Sequence, residues 1–210
     1  LGVEGVGRYR RLATTIDDAV GEAFDKSAKV LGLGFPGGPA LERAAHTGNP
    51  ARFPLPRPLV GSDEPHFSFA GLKTAVLTQV KRLAHASLDG PATLHLADPL
   101  TAQQKADVAA SVQAAIVEVL VKKSLMAIRQ TGLRRLVVAG GVGANTLLRE
   151  QLGSACAKAG VRVHYPELHL CTDNGAMIAL AGGMRVQAGL VTLDSADTGY
   201  SFDVKPRWPL

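Results

Sequence analysis

This 210-residue sequence has only two cysteines, Cys156 and Cys171. That number builds no disulfide framework and points to a reducing, cytoplasmic setting. No apolar run is long enough to cross a bilayer, so no membrane partner is expected. No secretory signal is visible, since the chain opens Leu-Gly-Val-Glu-Gly-Val-Gly-Arg. Position 1 is not Met and the chain starts mid-pattern, so an N-terminal part is expected to precede Leu1. There is no His-Glu-x-x-His, which disfavours a zincin protease. Ser68 and Lys73 do not have Ser-x-x-Lys spacing, and no base accompanies Ser68. Phe67-Ser-Phe-Ala-Gly-Leu-Lys-Thr therefore reads as a packed aromatic pair with a surface lysine. Internal repeats and low-complexity tracts are absent.

What is present suits a globular α/β protein. Hydrophobic residues make up 46% and charged residues 20%, enough for one large domain or two small lobes. The formal charge of +5 and pI near 9.4 help a polyanion dock, although charge alone favours RNA only slightly. Spacing predicts an amphipathic helix over 16–33, with Ile16, Val20, Phe24 and Leu31 on one stripe. Thr14 or Thr15 would cap it, and Asp17 and Asp18 would lie in its first turn. Pro39 fits the first turn of a short helix. A short strand at Phe67 should turn into a helix near Gly71. A long, largely buried helix is expected over 101–130. Strands follow at 134–139 and 161–165, and helices at 145–158 and 174–187. A polar loop is expected over 87–99 and an extended tail at Lys205-Pro-Arg-Trp-Pro-Leu. This alternation indicates a mixed or parallel sheet flanked by helices.

The most informative stretch is Val137-Val-Ala-Gly-Gly-Val-Gly-Ala-Asn. A strand runs into Gly140-Gly141, which exposes backbone N–H groups, and Asn145 opens a helix whose positive end points the same way. That arrangement suits a phosphate or nucleotide, though a plain tight turn is nearly as good a reading of this motif alone. Ligands in such sheets sit at the carboxyl ends of strands, so Gly140-Gly141 and Cys171-Thr-Asp should face one cleft. Asp173 reads either as a helix cap or as a metal ligand, with the cap favoured locally. His164, Glu167, His169, Cys171 and Asp173 match no common closed zinc motif. Asp25, the Gly37-Gly38 backbone and Glu42 could bind sugar or nucleoside hydroxyls, although a solvated polar face is the usual case.

Taken together, the motifs resemble one family. Asp17-Asp-Ala-Val-Gly-Glu-Ala-Phe-Asp-Lys, Pro36-Gly-Gly-Pro, Phe67-Ser-Phe-Ala-Gly-Leu-Lys-Thr, Ala139-Gly-Gly-Val-Gly-Ala-Asn, Cys171-Thr-Asp-Asn-Gly-Ala-Met and Pro206-Arg-Trp-Pro-Leu occur in its order. The chain is similar throughout to the bacterial tRNA threonylcarbamoyladenosine transferase subunit family, once called O-sialoglycoprotein endopeptidase. The resemblance implies the α/β fold of actin, sugar kinases and Hsp70 ATPase domains. Residues 1–189 would be mainly its second lobe, with a helical insertion at about 36–130, and 190–210 would return to the first lobe. It implies threonylcarbamoyl-AMP as donor, and as acceptor the adenosine beside the anticodon in tRNAs reading codons that start with A. Asp25, Gly38 and Glu42 would bind the nucleoside, and Asn145 the nucleotide beside Gly140 and Gly141. Asp173 would be one ligand of a single divalent metal, iron or zinc, and the resemblance raises it from cap to ligand.

The family's His-x-x-x-His metal ligands and Ser-Gly-Gly-His loop would lie upstream of Leu1. With one ligand of three, metal should bind weakly and the chain alone is expected to be inactive. The implied partners are tRNA, a paralogous dimerisation subunit and a small ATPase subunit. Arg10, Arg11, Arg52, Arg57, Lys73, Lys81 and Arg82 are candidate tRNA contacts. The rival readings are a sugar kinase or ATPase of the same fold and a non-catalytic paralogous scaffold.

Overall fold

In the computed structural model, residues 1–84 and 99–191 are described. The expected loop over 87–99, apart from its last residue, lies outside them. So do the extended tail, the Pro206-Arg-Trp-Pro-Leu motif and nearly all of the return segment 190–210. The described residues form two compact units: Leu1–Ala13 together with the residues from Thr172 on, and Thr14–Cys171.

The first unit holds an antiparallel hairpin, β1 (Gly2–Gly5) and β2 (Arg8–Arg10), and the helix α6 (Gly175–Gln187). Asn174 caps α6, its Oδ1 accepting from the Met177 N–H at 2.9 Å. No residue of α6 is buried, and Met177, Ile178, Leu180 and Met184 are all exposed.

The second unit holds α1 (Val20–Leu31), α2 (Gly37–Ala45), α3 (Ala70–Leu83), α4 (Ala102–Thr131), β3 (Arg135–Val137), α5 (Thr146–Lys158) and β4 (Arg162–His164). Short 3-10 turns lie at Gly141–Ala144 and Leu168–Leu170. β3 and β4 pair in parallel, with Arg135 opposite Arg162 and Val137 opposite His164. That is the parallel pairing expected of a strand–helix–strand unit.

α4 organises this unit. Thr101 and Gln104 close a reciprocal capping box at its start, and Gly132, with φ of 68°, ends it in the left-handed conformation. Ile116 and Val119 pack on one side among Phe24, Leu41, Leu72 and Val76. Val117 packs on the other among Leu148, Leu152, Cys156 and Val161. The expectation of a largely buried helix holds. Removing a side chain such as Ile116 at this position would cost about 2–5 kcal/mol.

The start of α1 departs from the expected 16–33. The backbone stays extended here because the Ile16 N–H donates to Phe67 C=O at 2.9 Å and the Phe67 N–H to Thr14 C=O at 3.0 Å. Ile16 is consequently exposed rather than on the core stripe. Thr15 does not cap α1; its hydroxyl donates to the Asp18 carbonyl. Asp17 turns instead to α3, more than fifty residues on. Its carboxylate accepts from the Phe69 N–H at 2.7 Å, the Ala70 N–H at 3.2 Å and the Ser68 hydroxyl, and so satisfies the start of α3. Phe67 and Phe69 stack, as the aromatic-pair reading expected.

Burial pushes the Asp17 carboxyl up, but the bonds from Ser68, Phe69 and Ala70 outweigh it and hold it below the usual range. Asp17→Ala should therefore lower stability to urea at pH 7 by about 1 kcal/mol. A group with a lowered folded pKa contributes above its unfolded value of about 3.9 and loses that contribution as pH falls through the folded value. Wild type and variant should converge as pH falls through that folded value. Equal stability at pH 7 would rule out the cap.

Candidate functional site

Three of the sequence motifs meet at the N-termini of α2 and α5. Asp25 projects from α1, and its Oδ1 accepts from the Gly37 N–H at 2.9 Å, at the first residue of α2. The approach is close. A Cβ on Gly37 would lie 2.5 Å from the Asp25 Cα and 2.6 Å from Oδ1, so only glycine fits. Asp25 itself is exposed and its second oxygen makes no bond to the described residues. One residue on, Gly38 faces open space.

From α2, Glu42 reaches α5: its Oε1 accepts from the Thr146 N–H at 2.7 Å. Asn145 caps the same helix, its Oδ1 accepting from the Leu148 N–H at 2.9 Å. Its Nδ2 donates to Gln113 Oε1 on α4 at 3.2 Å, and both residues are buried. Just before, Gly140 has φ 91° and ψ 164°, a conformation closed to side-chain-bearing residues. It turns the chain out of β3 into the Gly141–Ala144 turn. Gly140 and Gly141 are exposed, with nothing above them where a Cβ would stand. The turn packs on α1 through Val142 beside Gly21. The structure thus brings Asp25, Gly38, Glu42, Gly140, Gly141 and Asn145 into one region. It presents two positive helix ends, one half-used carboxylate and bare glycine backbone, which suits a hydroxyl-bearing anion.

Two residues of this framework escaped the motif reading. Gln113 is a buried amide in an Ala/Val-rich helix, and that contrast is its sequence signal. Arg149, one turn after Asn145, donates to the Gly143 carbonyl at 2.6 Å, the Pro166 carbonyl at 3.3 Å and Cys171 Sγ at 3.4 Å. Its guanidinium also lies over the Tyr165 ring, 4.6 Å from the centroid. It ties the glycine turn to the segment ending at Cys171.

Asp173 belongs to the other compact unit. The cap reading does not hold for it, because Asn174 caps α6. Its carboxylate is exposed and has no partner among the described residues. No group of three His, Cys, Asp or Glu among the described residues could hold a metal. Cys171 is buried against Arg149 and the carbonyls of Pro166 and Glu167, and His169 sits 3.5 Å from Glu167 at the surface.

The family model of TsaD, tRNA N6-adenosine threonylcarbamoyltransferase, matches residues 1–180. The chain belongs to this family. A tRNA N6-adenosine threonylcarbamoyltransferase of Variovorax paradoxus is 65% identical over 208 residues, covering 99% of this chain and 54% of that protein. Its counterpart in Paracidovorax citrulli is also 65% identical, with 99% and 55% covered. A third, from Polaromonas naphthalenivorans, is 62% identical, with 99% and 54% covered. The chain therefore spans about half the length of the curated relatives it matches.

Adjacent glycines of this family member should respond in opposite ways. Gly37→Ala forces the new methyl against the Asp25 backbone and should cost about 1–3 kcal/mol. Gly38→Ala adds a methyl in open space within a helix and should leave stability equal or higher by up to about 1 kcal/mol. Urea unfolding of the two variants checks this, and equal losses would contradict the geometry.

Proposed function

We propose that this chain carries the donor-binding part of a transferase. The enzyme moves the threonylcarbamoyl group from threonylcarbamoyl-AMP to N6 of the adenosine beside the anticodon, in tRNAs reading codons that start with A. One observation carries the reading. Glu42 ties α2 to the N-terminus of α5, and near that junction stand the open Gly38, the bare Gly140–Gly141 turn and the Asp25 oxygen that has no partner among the described residues. The relatives' shared name supports the chemistry. In fold terms, residues 1–189 are proposed as mainly the second lobe of an actin-like ATPase architecture, with 190–210 returning to the first.

In this reading Asp25 accepts from a ribose hydroxyl through its unused oxygen. Gly38 lets the nucleoside lie against the backbone. The donor phosphate takes the Gly140–Gly141 turn and the positive end of α5. Asn145 and Glu42 act chiefly by holding that end in place. Transfer is then nucleophilic attack by the adenine N6 on the donor carbonyl. The new C–N bond forms, the C–O bond to the phosphate breaks, AMP leaves with the electron pair, and N6 gives up a proton. Holding donor and acceptor in line supplies much of the rate. The acceptor arrives from a single-stranded loop, where bases splay out readily.

A divalent iron or zinc ion would polarise that carbonyl when bound. We propose Asp173 as one ligand, since its carboxylate is exposed and has no partner among the described residues. One carboxylate makes no metal site, so no step is derived through the ion. A paralogous dimerisation subunit and a small ATPase subunit are the proposed protein partners, and the cytoplasm the proposed location. No helix of the described residues is long and apolar enough to cross a membrane.

Asn145→Ala would be an ambiguous test of the cleft. It removes a cap and orphans the buried Gln113 amide, costing about 1–3 kcal/mol by itself. Gly38→Phe separates binding from folding, because a Cβ at Gly38 meets nothing within 4 Å and the melting temperature reports any strain of the larger side chain. Calorimetric titration with AMP should show at least about tenfold weaker binding, a loss of about 1.4 kcal/mol, at an unchanged melting temperature. Unchanged affinity would place the nucleotide elsewhere.

A further inference from the structure

At the end of β3 and β4 away from the glycine turn, Arg134, Arg135 and Arg162 line an open cleft of about 470 Å³ with Ala157, Gly160 and Val161. Arg135 and Arg162 are register partners on parallel strands, so their side chains leave the same face from backbones about 4.8 Å apart. Like charges in that relation repel and destabilise the pair. None of the three arginines forms an ion pair with a carboxylate among the described residues. Arg134 is also positioned. Its Nη1 donates to the Ala159 carbonyl at 3.4 Å and sits 3.2 Å from where a Cβ on Gly160 would be. A side chain there would press on the guanidinium.

We propose that this cleft docks the phosphodiester backbone of the acceptor tRNA. The proposal rests on the transferase reading above and adds a contact surface to it. Arginine's planar fork matches phosphate oxygens, and three uncompensated arginines at one opening offset their mutual repulsion only when an anion arrives. The cleft is open and lacks the enclosing apolar walls of a small-molecule pocket, which favours a polymer over a free nucleotide. No aromatic side chain among the described residues lines it, so it positions the RNA without reading bases. It is distinct from the junction around Gly38 and Gly140.

The test is fluorescence anisotropy of labelled tRNA on the 210-residue chain across a salt series. The triple variant Arg134→Gln, Arg135→Gln, Arg162→Gln is compared with wild type. Each lost phosphate contact lowers the slope of log K against log salt by about 0.7–0.9. The variant should lose about two to three units of slope and at least about tenfold in affinity near 0.1 M salt. The loss should be equal for tRNAs with and without the target adenosine. AMP affinity should not change, and the melting temperature should hold or rise as the repulsion goes. A control triple, Lys29→Gln, Lys105→Gln, Arg129→Gln, should lose far less. If wild type binds tRNA and the arginine triple binds as well, or the control loses as much, the cleft assignment is overturned and the transferase reading stands. If wild type binds no tRNA while AMP still binds, the tRNA reading and the cleft fall together.

Discussion

A packed helix must find acceptors for its first N–H groups, and for three helices of the larger unit an acceptor comes from another part of the chain. Asp17, ahead of α1, serves α3; Asp25 on α1 serves α2; Glu42 on α2 serves α5. Asn145 supplies the local cap of α5 and also bonds α4 through Gln113. Unpartnered, each such donor would cost about 1–3 kcal/mol of desolvation. The satisfied bonds do more than avoid that penalty, because each also sets the position of one helix relative to another. The packing around α4 supplies the bulk of the burial, and these directed bonds settle where the helix ends stand.

The candidate site is a by-product of the same constraint. Helix ends brought together by carboxylates leave some of their positive character facing outward, and glycines at Gly38, Gly140 and Gly141 keep that face uncovered. Scaffold and binding surface therefore share residues. Asp25 offers one oxygen to Gly37 and keeps one free, while the Asn145 amide uses both of its polar atoms inside the chain. Substitutions at Asn145 mix folding with binding, whereas Gly38 touches only the open side.

Much of this was legible in the amino-acid pattern. The helical period placed α4 through α6 within a few residues, because their caps are local: Thr101 with Gln104, Asn145 with Leu148, Asn174 with Met177. That Asp25, Gly38 and the Gly140-Gly141 turn serve one donor is implied by the family resemblance, not by the local pattern. The misreadings have one cause. Asp17 and Thr15 look like a helix start because such residues cap locally, yet Thr15 pairs strand-like with Phe67 more than fifty residues away, the Asp17 carboxylate accepts from Phe69 and Ala70, and the Thr15 hydroxyl donates to the Asp18 carbonyl. Asp173 looked like the cap of α6 until Asn174 took that place.

By itself the sequence determined the local elements, the glycine positions and, through six ordered motifs, the family, because these depend on neighbours in the chain or on joint resemblance. Only the tertiary structure decided which carboxylate serves which helix, that Gln113 and Arg149 brace the glycine turn, and that Arg135 and Arg162 stand side by side with no counter-charge among the described residues. Those relations join residues between 6 and 104 positions apart in the chain. Hydrogen bonds and charges act through a few ångströms of space, and sequence distance says nothing of that until the chain has folded.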